Sequence, residues 1–573
     1  MHRIKAALAA LIALALGLQG AQAAVPLPQG AEHGMVVSAH REASAAGVTV
    51  LRQGGNAVDA AVAVAYALAV TFPEAGNIGG GGFMLVRMAD GRQAFIDFRE
   101  MAPGAAHAKM YQDKNGDVIP ALSTRGYLAV GVPGTVAGLE LALGKYGTMK
   151  RKALMAPAIR LASKGFVLDQ GDAEMLAEGA EDFAKDAPSA AVFLNRGQHW
   201  QAGQRLVQAD LGRMLAQIAA RGPDAFYKGE AAQRIVAASK AHGGILTLED
   251  FAAYKAVERK PIECDYRGYH VISAPPPSSG GVVVCETLNI LSGYPLGELG
   301  FHSAQGVHYT VEALRRAFHD RNVNLGDPDF VSADIGKFVS PAYAAELRQG
   351  IAADKATPSA SLGGIAIGKE GASTTHFSIV DAAGNAVSLT YTLNDWFGAR
   401  VTAEGTGILL NDEMDDFSSK PGFPNMYGLV EGTNNAIAPG KRPLSSMSPT
   451  IVLKNGQLFM VVGTPGGSHI PTGVLQVMIN AIDYRMTLTE AVDAPRIHAQ
   501  WMPDVIFHEA DALSADTRAA LIAKGHKLEQ MDYWNQVAVI MVGAPALGRE
   551  PRGKMRLYGA IDPRLPVGTV DGY

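Results

Sequence analysis

The feature that most constrains this chain is residues 55–70, GNAVDAAVAVAYALAV, which would be apolar on almost every side of a helix. A surface helix keeps one polar face, so a helix without one must be enclosed by other structure. Asp59 interrupts the run near its start, and the uninterrupted part, residues 60–70, is shorter than the roughly 20 residues a membrane span needs. The stretch therefore predicts a central core helix. With 573 residues, 48% of them apolar, the chain is long enough for several domain-sized units around such a core.

Just after this stretch stand four glycines, Gly79 to Gly82, followed by Phe83-Met84-Leu85-Val86. No Gly-Lys-Ser/Thr ending follows, so the cluster reads as tight backbone packing before a strand and not as a phosphate cradle. Residues 94–100 alternate apolar and polar around the end of a strand that Arg99 closes. From Thr135 to about Lys240 apolar residues recur at spacings of three and four, which predicts helices, among them 136–146 and 207–220. Thr247 is a plausible N-cap for another helix, and the run PPPSSGG at 275–281 reads as a rigid turn feeding one more. Between Ala352 and Ser373 the composition shifts to Ala, Ser, Gly and Lys without periodicity, a linker signature and the clearest internal boundary. Beyond it, residues 374–393 read as a β-hairpin around a glycine-containing turn, and a second hairpin is expected at 451–462 around Asn455-Gly456.

The N-terminus carries Arg3 and Lys5, an Ala/Leu run at 6–18 and a small-residue Ala21-Gln22-Ala23, which together predict a secretory signal peptide over residues 1–24. Its removal would take the formal net charge from −5 to −7, so no basic face for nucleic acid is expected. The two cysteines, Cys264 and Cys285, would meet an oxidising compartment, where a disulfide and two separate buried thiols are equally open readings. Neither Cys-x-x-Cys nor His-Glu-x-x-His occurs, so no metal site is expected.

Several long motifs then occur in one order: GGNAVDAAVA (54–63), IDFREMAP (96–103), PPPSSGG (275–281), TTHFS (374–378), TYTLN (390–394), MDDFS (414–418), RPLSSMSPT (442–450) and TPGGS (464–468). From near Met35 to the C-terminus the chain resembles the γ-glutamyltransferase family of N-terminal-nucleophile hydrolases. The resemblance implies a four-layer α/β/β/α sandwich, made as a precursor that cuts itself before a threonine. The bond would be Ser373-Thr374, giving a large subunit of residues 25–373 and a small subunit of residues 374–573, intertwined as a heterodimer. It also implies a γ-glutamyl transferase and glutathione hydrolase, with glutathione, other γ-glutamyl compounds and amino acid or peptide acceptors as small-molecule partners. Export to the periplasm and the absence of a stable membrane span fit the same picture.

A threonine hydroxyl is a weak nucleophile until a base takes its proton, and an N-terminal threonine carries that base in its own α-amine. With a pKa of about 7.7 to 8.0, such an amine is usefully unprotonated near neutral pH, so neither a histidine nor a cofactor is required. No Gly-x-Ser-x-Gly elbow offers a serine alternative. Read alone, Thr374-Thr375 is an ordinary strand start; the family pattern makes Thr374 the nucleophile, Thr392 its hydrogen-bonding support, and Gly466 and Gly467 the oxyanion donors.

A γ-glutamyl donor ends in a carboxylate and an ammonium. Matching positions imply Arg99, helped by Ser445 and Ser446, for the carboxylate, and Asp416, Glu413 and Asn394 for the ammonium. The plainer readings are an Arg99 ion pair with Asp97 or Glu100 and a solvated Asp415-Asp416 loop. Residues 421–432, PGFPNMYGLVEG, match a lid loop with Tyr427 at the gate. The chain departs from the pattern at Asp395-Trp396 and at His469, which questions the acceptor side more than the reaction type. A glutaryl amidase of the cephalosporin-acylase type and an inactive γ-glutamyl-binding protein are the alternatives.

Overall fold

The computed structural model of the protein describes residues 27–363, 374–532, 535–550, 553–565 and 567–573. The expected signal peptide and Ser373 lie outside the described residues.

The core helix is Ala57–Thr71, with every residue buried. Its one charge has a clear use. Asp59 completes a capping box with Asn56, accepts the Thr148 hydroxyl at 2.6 Å, and accepts the Thr148 and Met149 amides at 2.9 and 3.0 Å. A buried carboxylate is tolerable when it is hydrogen-bonded this completely, and here it fixes both the helix start and the turn beside it.

Two seven-stranded antiparallel sheets stand at the centre. The first runs, from edge to edge, Thr569–Gly572, Met35–Ser38, Thr375–Val380, Ala386–Thr392, Gly81–Arg87, Gln93–Phe98, Val257–Arg259. The second runs Gln29–Ala31, Leu557–Ile561, Ala538–Val542, Gln457–Gly463, Thr450–Lys454, Tyr269–Ser273, Ile262–Tyr266. Side chains alternate between the faces of a strand, and the cores follow that period. Phe83 and Leu85 of the first sheet meet Ile272, Ile451, Val461 and Ile540 of the second, forming the inner layer. Met84, Val86, Ile379 and Leu389 face outward onto the core helix and its neighbours. Val271, Val452, Val462 and Val539 face outward onto the helices Gly280–Leu291, Ala304–Asn324 and Ile470–Ile482. The result is the expected α/β/β/α sandwich.

Segments on either side of residue 374 share both sheets. Thr375–Val380 pairs with Met35–Ser38, Ala386–Thr392 with Gly81–Arg87, and Thr450–Lys454 with Tyr269–Ser273. Both sequence-predicted hairpins are present. The glycine run is crowded backbone, as read: a Cβ on Gly80 would lie 2.1 Å from the Thr392 carbonyl, and one on Gly82 2.4 Å from that of Thr390.

One open sequence reading closes and another changes. Cys264 and Cys285 form a disulfide, Cα–Cα 5.8 Å, tying the edge strand Ile262–Tyr266 to the helix Gly280–Leu291. The part of the supposed linker that is described, 352–363, is anchored: Ala356 N donates to Lys524 O at 2.8 Å, Thr357 N to Glu312 and Ser359 N to Asp504, each at 2.9 Å. Those anchors come from remote segments, which local composition does not record. Among the described residues no helix is long and apolar enough to cross a membrane.

Candidate active site

Thr374 stands at the head of the strand Thr375–Val380 with 4% of its surface exposed and φ at 118°. That conformation is foreign to a β-branched residue and costs on the order of 1–3 kcal/mol, which only firm surroundings can sustain. The surroundings are firm. Thr374 Oγ1 donates to Thr392 Oγ1 at 3.4 Å, Asn394 N donates to the same Thr392 oxygen at 2.9 Å, and Asn77 Nδ2 donates to the Thr392 carbonyl at 2.8 Å. His376 is no base for this hydroxyl: its ring is held by Thr390 Oγ1 at 2.8 Å and Ser378 Oγ at 3.1 Å, and burial pushes its pKa down to about 3.

Gly466 and Gly467 form the junction between the strand Gln457–Gly463 and the helix Ile470–Ile482, with φ of 128° and 53°. Such angles suit glycine, and the position lies at the positive end of the helix dipole, where developing negative charge is favoured. Tyr427 packs so closely on Gly467 that a Cβ there would meet the ring at 2.4 Å.

Arg99 is fully buried at the end of the strand Gln93–Phe98. Its side chain does not turn to Asp97; it reaches Glu413 through Nη1 and Asp416 through Nη2, with Glu100 3.9 Å away and the Pro443 carbonyl at 3.3 Å. The residues expected to receive the two ends of a zwitterion thus neutralise one another. Asp415 and Asp416 are no solvated loop: both are buried, and Asp415 accepts Ser123 Oγ at 2.6 Å and Met426 N at 3.0 Å. Burial acts against the charge of Arg99, yet Glu413, Asp416 and Glu100 together hold its pKa above the usual range. Burial, outweighing Arg99, pushes the carboxyl of Glu100 up to about 7 and that of Glu413 well above the carboxylate range; burial brings Asp415 to about 6. One guanidinium among several buried carboxyls leaves a surplus of acid, which an added ammonium would neutralise.

The 421–432 loop closes over this group. Asn425 Oδ1 accepts the amides of Tyr427 and Leu429 at 3.0 and 3.1 Å, and Tyr427 Oη donates to the Asn394 carbonyl at 2.8 Å. Beneath it lies a small cavity, whose walls include Arg99, Thr374, Thr392, Asn394, Glu413, Asp416, Tyr427, Ser445, Ser446 and Gly467. Of the described site residues expected from the sequence, only Gly466 lies outside that wall, one position from Gly467. Asp395 and His469 do not line it: Asp395 pairs with Arg125 at 3.0 Å and Arg400 at 3.2 Å, and the His469 ring packs, tilted, 4.0 Å from the His498 ring.

Supporting residues went unread in the sequence: Asn77, which holds Thr392, and Ser279, whose amide and hydroxyl both donate to the Ser445 carbonyl at 2.8 and 2.7 Å. The PPPSSGG motif was the visible signal for Ser279. One cluster among the described residues, His308, Glu312 and His526, brings ligand-type atoms together. Its atoms are engaged: Glu312 is held by Arg316 at 2.7 Å and Thr357 N at 2.9 Å, and the two imidazoles share a 2.8 Å hydrogen bond.

The layered fold, with a threonine heading a central strand above a buried charged cavity, is of the N-terminal-nucleophile hydrolase type. The family model described as gamma-glutamyltranspeptidase matches residues 43–569. The chain belongs to that family. It is 60% identical over 562 residues to a glutathione hydrolase proenzyme of Pseudomonas sp. (strain A14), covering 98% of each chain. Among solved structures, cephalosporin acylase from Bacillus halodurans superposes with a TM-score of 0.82 at 28% identity, covering 97% of this chain and 98% of that one. Helicobacter pylori gamma-glutamyltranspeptidase gives 0.55 at 45% identity, covering 58% of this chain and 94% of that one.

Proposed function

We propose that the protein is a γ-glutamyl transferase and glutathione hydrolase that cuts its own Ser373-Thr374 bond. Cleavage relieves the strained φ of Thr374, since that torsion loses its preceding carbonyl, and frees an α-amine on the same residue as the attacking oxygen. The fragments 25–373 and 374–573 stay together as a heterodimer because the shared sheets hold them. The proenzyme name of the Pseudomonas relative supports such processing. Residues 1–24 act as the leader for export to the periplasm.

In the reaction the amine takes the Thr374 hydroxyl proton while Oγ1 attacks the γ-carbonyl carbon. The Gly466 and Gly467 amides receive the oxyanion, the C–N bond breaks, and the departing amine accepts the proton. The ester on Thr374 is then opened by water or by an acceptor amine. Arg99, Ser445 and Ser446 hold the donor carboxylate; Glu413, Asp416 and Asn394 hold its ammonium; Tyr427 keeps the cavity closed to water.

The observation that carries this reading is the wall of one cavity, which joins a strand-head hydroxyl to a guanidinium and two buried carboxyls. A glutaryl amidase, suggested by the acylase likeness, is less well supported, because a glutaryl group has no ammonium for Glu413 and Asp416. An inactive binding protein would have no use for the Thr374–Thr392 geometry. Initial rates with γ-glutamyl- and glutaryl-p-nitroanilide test the point: the γ-glutamyl compound should be strongly preferred and glycylglycine should speed its turnover, whereas preference for the glutaryl compound would overturn the reading.

A further inference from the structure

Behind the cavity wall lies a second fully buried guanidinium, that of Arg321 on the helix Ala304–Asn324. Four groups surround it. Nη1 donates to Glu431 and, at 2.7 Å, to Asn322 Oδ1; Nε donates to Ser279 Oγ at 3.1 Å; Nη2 lies 3.5 Å from Ser446 Oγ. Two of these contacts lead to the serines expected to hold the donor carboxylate. Ser279 donates onward to the Ser445 carbonyl at 2.7 Å, and Ser446 is met directly. A third leads to the lid, because Glu431 closes the 421–432 loop through Gly422 N, which donates to the Glu431 carbonyl at 3.1 Å.

We infer that Arg321 is a positioning residue for the donor α-carboxylate, acting through Ser446 and Ser445, and resting on the γ-glutamyl reading above. A hydroxyl has one proton to give. When a guanidinium N–H approaches Ser446 Oγ from behind, the hydroxyl proton is turned away from Arg321, toward the cavity that Ser446 lines. The same logic holds at Ser279: its oxygen accepts from Arg321, so its proton goes to Ser445, fixing that backbone beside the cavity. Arg321 also places a buried positive charge behind the two serines, and Glu431 keeps that charge neutralised within the wall. A lysine could keep the pair with Glu431 but not the planar fork that reaches Ser279 and Ser446 as well.

The test is Arg321→Lys in the processed, two-chain enzyme, with three p-nitroanilides as donors and as competitive inhibitors. γ-Glutamyl carries both charged groups, glutaryl lacks the ammonium, and 4-aminobutyryl lacks the carboxylate. Losing one charge-assisted contact should raise KM or Ki about tenfold for the two carboxylate-bearing compounds, with kcat within about threefold and 4-aminobutyryl unchanged. Ser279→Ala leaves the Arg321–Glu431 pair in place and should show the same carboxylate-selective pattern, so it serves if Arg321→Lys fails to process. Equal losses on all three compounds, or a fall in kcat at constant KM, would overturn the inference. A wild type that ignores the carboxylate would instead overturn the γ-glutamyl reading and the inference with it.

Discussion

Asp416→Asn is the perturbation that most sharply separates the charged receptor from a merely polar pocket. Asparagine keeps the volume and leaves Arg99 paired with Glu413, so the fold has little reason to change. What is lost is a carboxylate at 8% exposure facing the site of the donor ammonium. A hydrogen bond to a charged group contributes about 1.5–3 kcal/mol, so kcat/KM for a γ-glutamyl anilide should fall by roughly 10- to 150-fold. The glutaryl anilide offers no ammonium to that carboxylate, so its kcat/KM should stay within about threefold. Steady-state release of p-nitroaniline from both donors, on protein shown by gel to be two chains, measures the ratio. A variant that loses equally on both donors, or loses nothing on the γ-glutamyl one, would refute the placement of the ammonium at Asp416.

Three further outcomes follow from the same geometry. Thr392→Val removes the oxygen that accepts both Thr374 Oγ1 and the Asn394 amide; it should lower kcat by about 10- to 100-fold with little change in KM, as read by initial rates. Glu100, held at about 7 in the fold against 4.5 for the free side chain, binds more protons folded than unfolded between those values; stability therefore falls as pH rises through that window, by an amount on the order of 3 kcal/mol, and thermal melts of Glu100→Gln should show that fall removed. Cys264→Ser with Cys285→Ser opens a loop of sequence separation 21 and should cost about 3 kcal/mol, seen as a lower melting temperature with the active-site kinetics intact.

Much of the architecture was legible because it is written locally. The almost wholly apolar run at 55–70, too short past Asp59 to span a membrane, announced an enclosed helix, and alternation at 374–393 and 451–462 announced the hairpins. Individual site residues were less legible on their own: Thr374 as an isolated letter is a strand threonine, and only the ordered motifs gave it a role. What stayed hidden was partnership across long separations. Arg99 and Asp416 are 317 residues apart, Arg321 and Glu431 110 apart, and no periodicity records such pairs. The state of Cys264 and Cys285 was open for the same reason, since a strand and a helix must first be packed before their sulfurs can meet.

N-terminal sequencing with intact mass of the purified, active protein tests the central claim most directly. Two chains are expected, the smaller beginning at Thr374, and Thr374→Ala should remain a single chain without activity. An active wild-type chain found continuous across residues 373 and 374 would contradict the account, since the α-amine that serves as base would then be locked in a peptide bond.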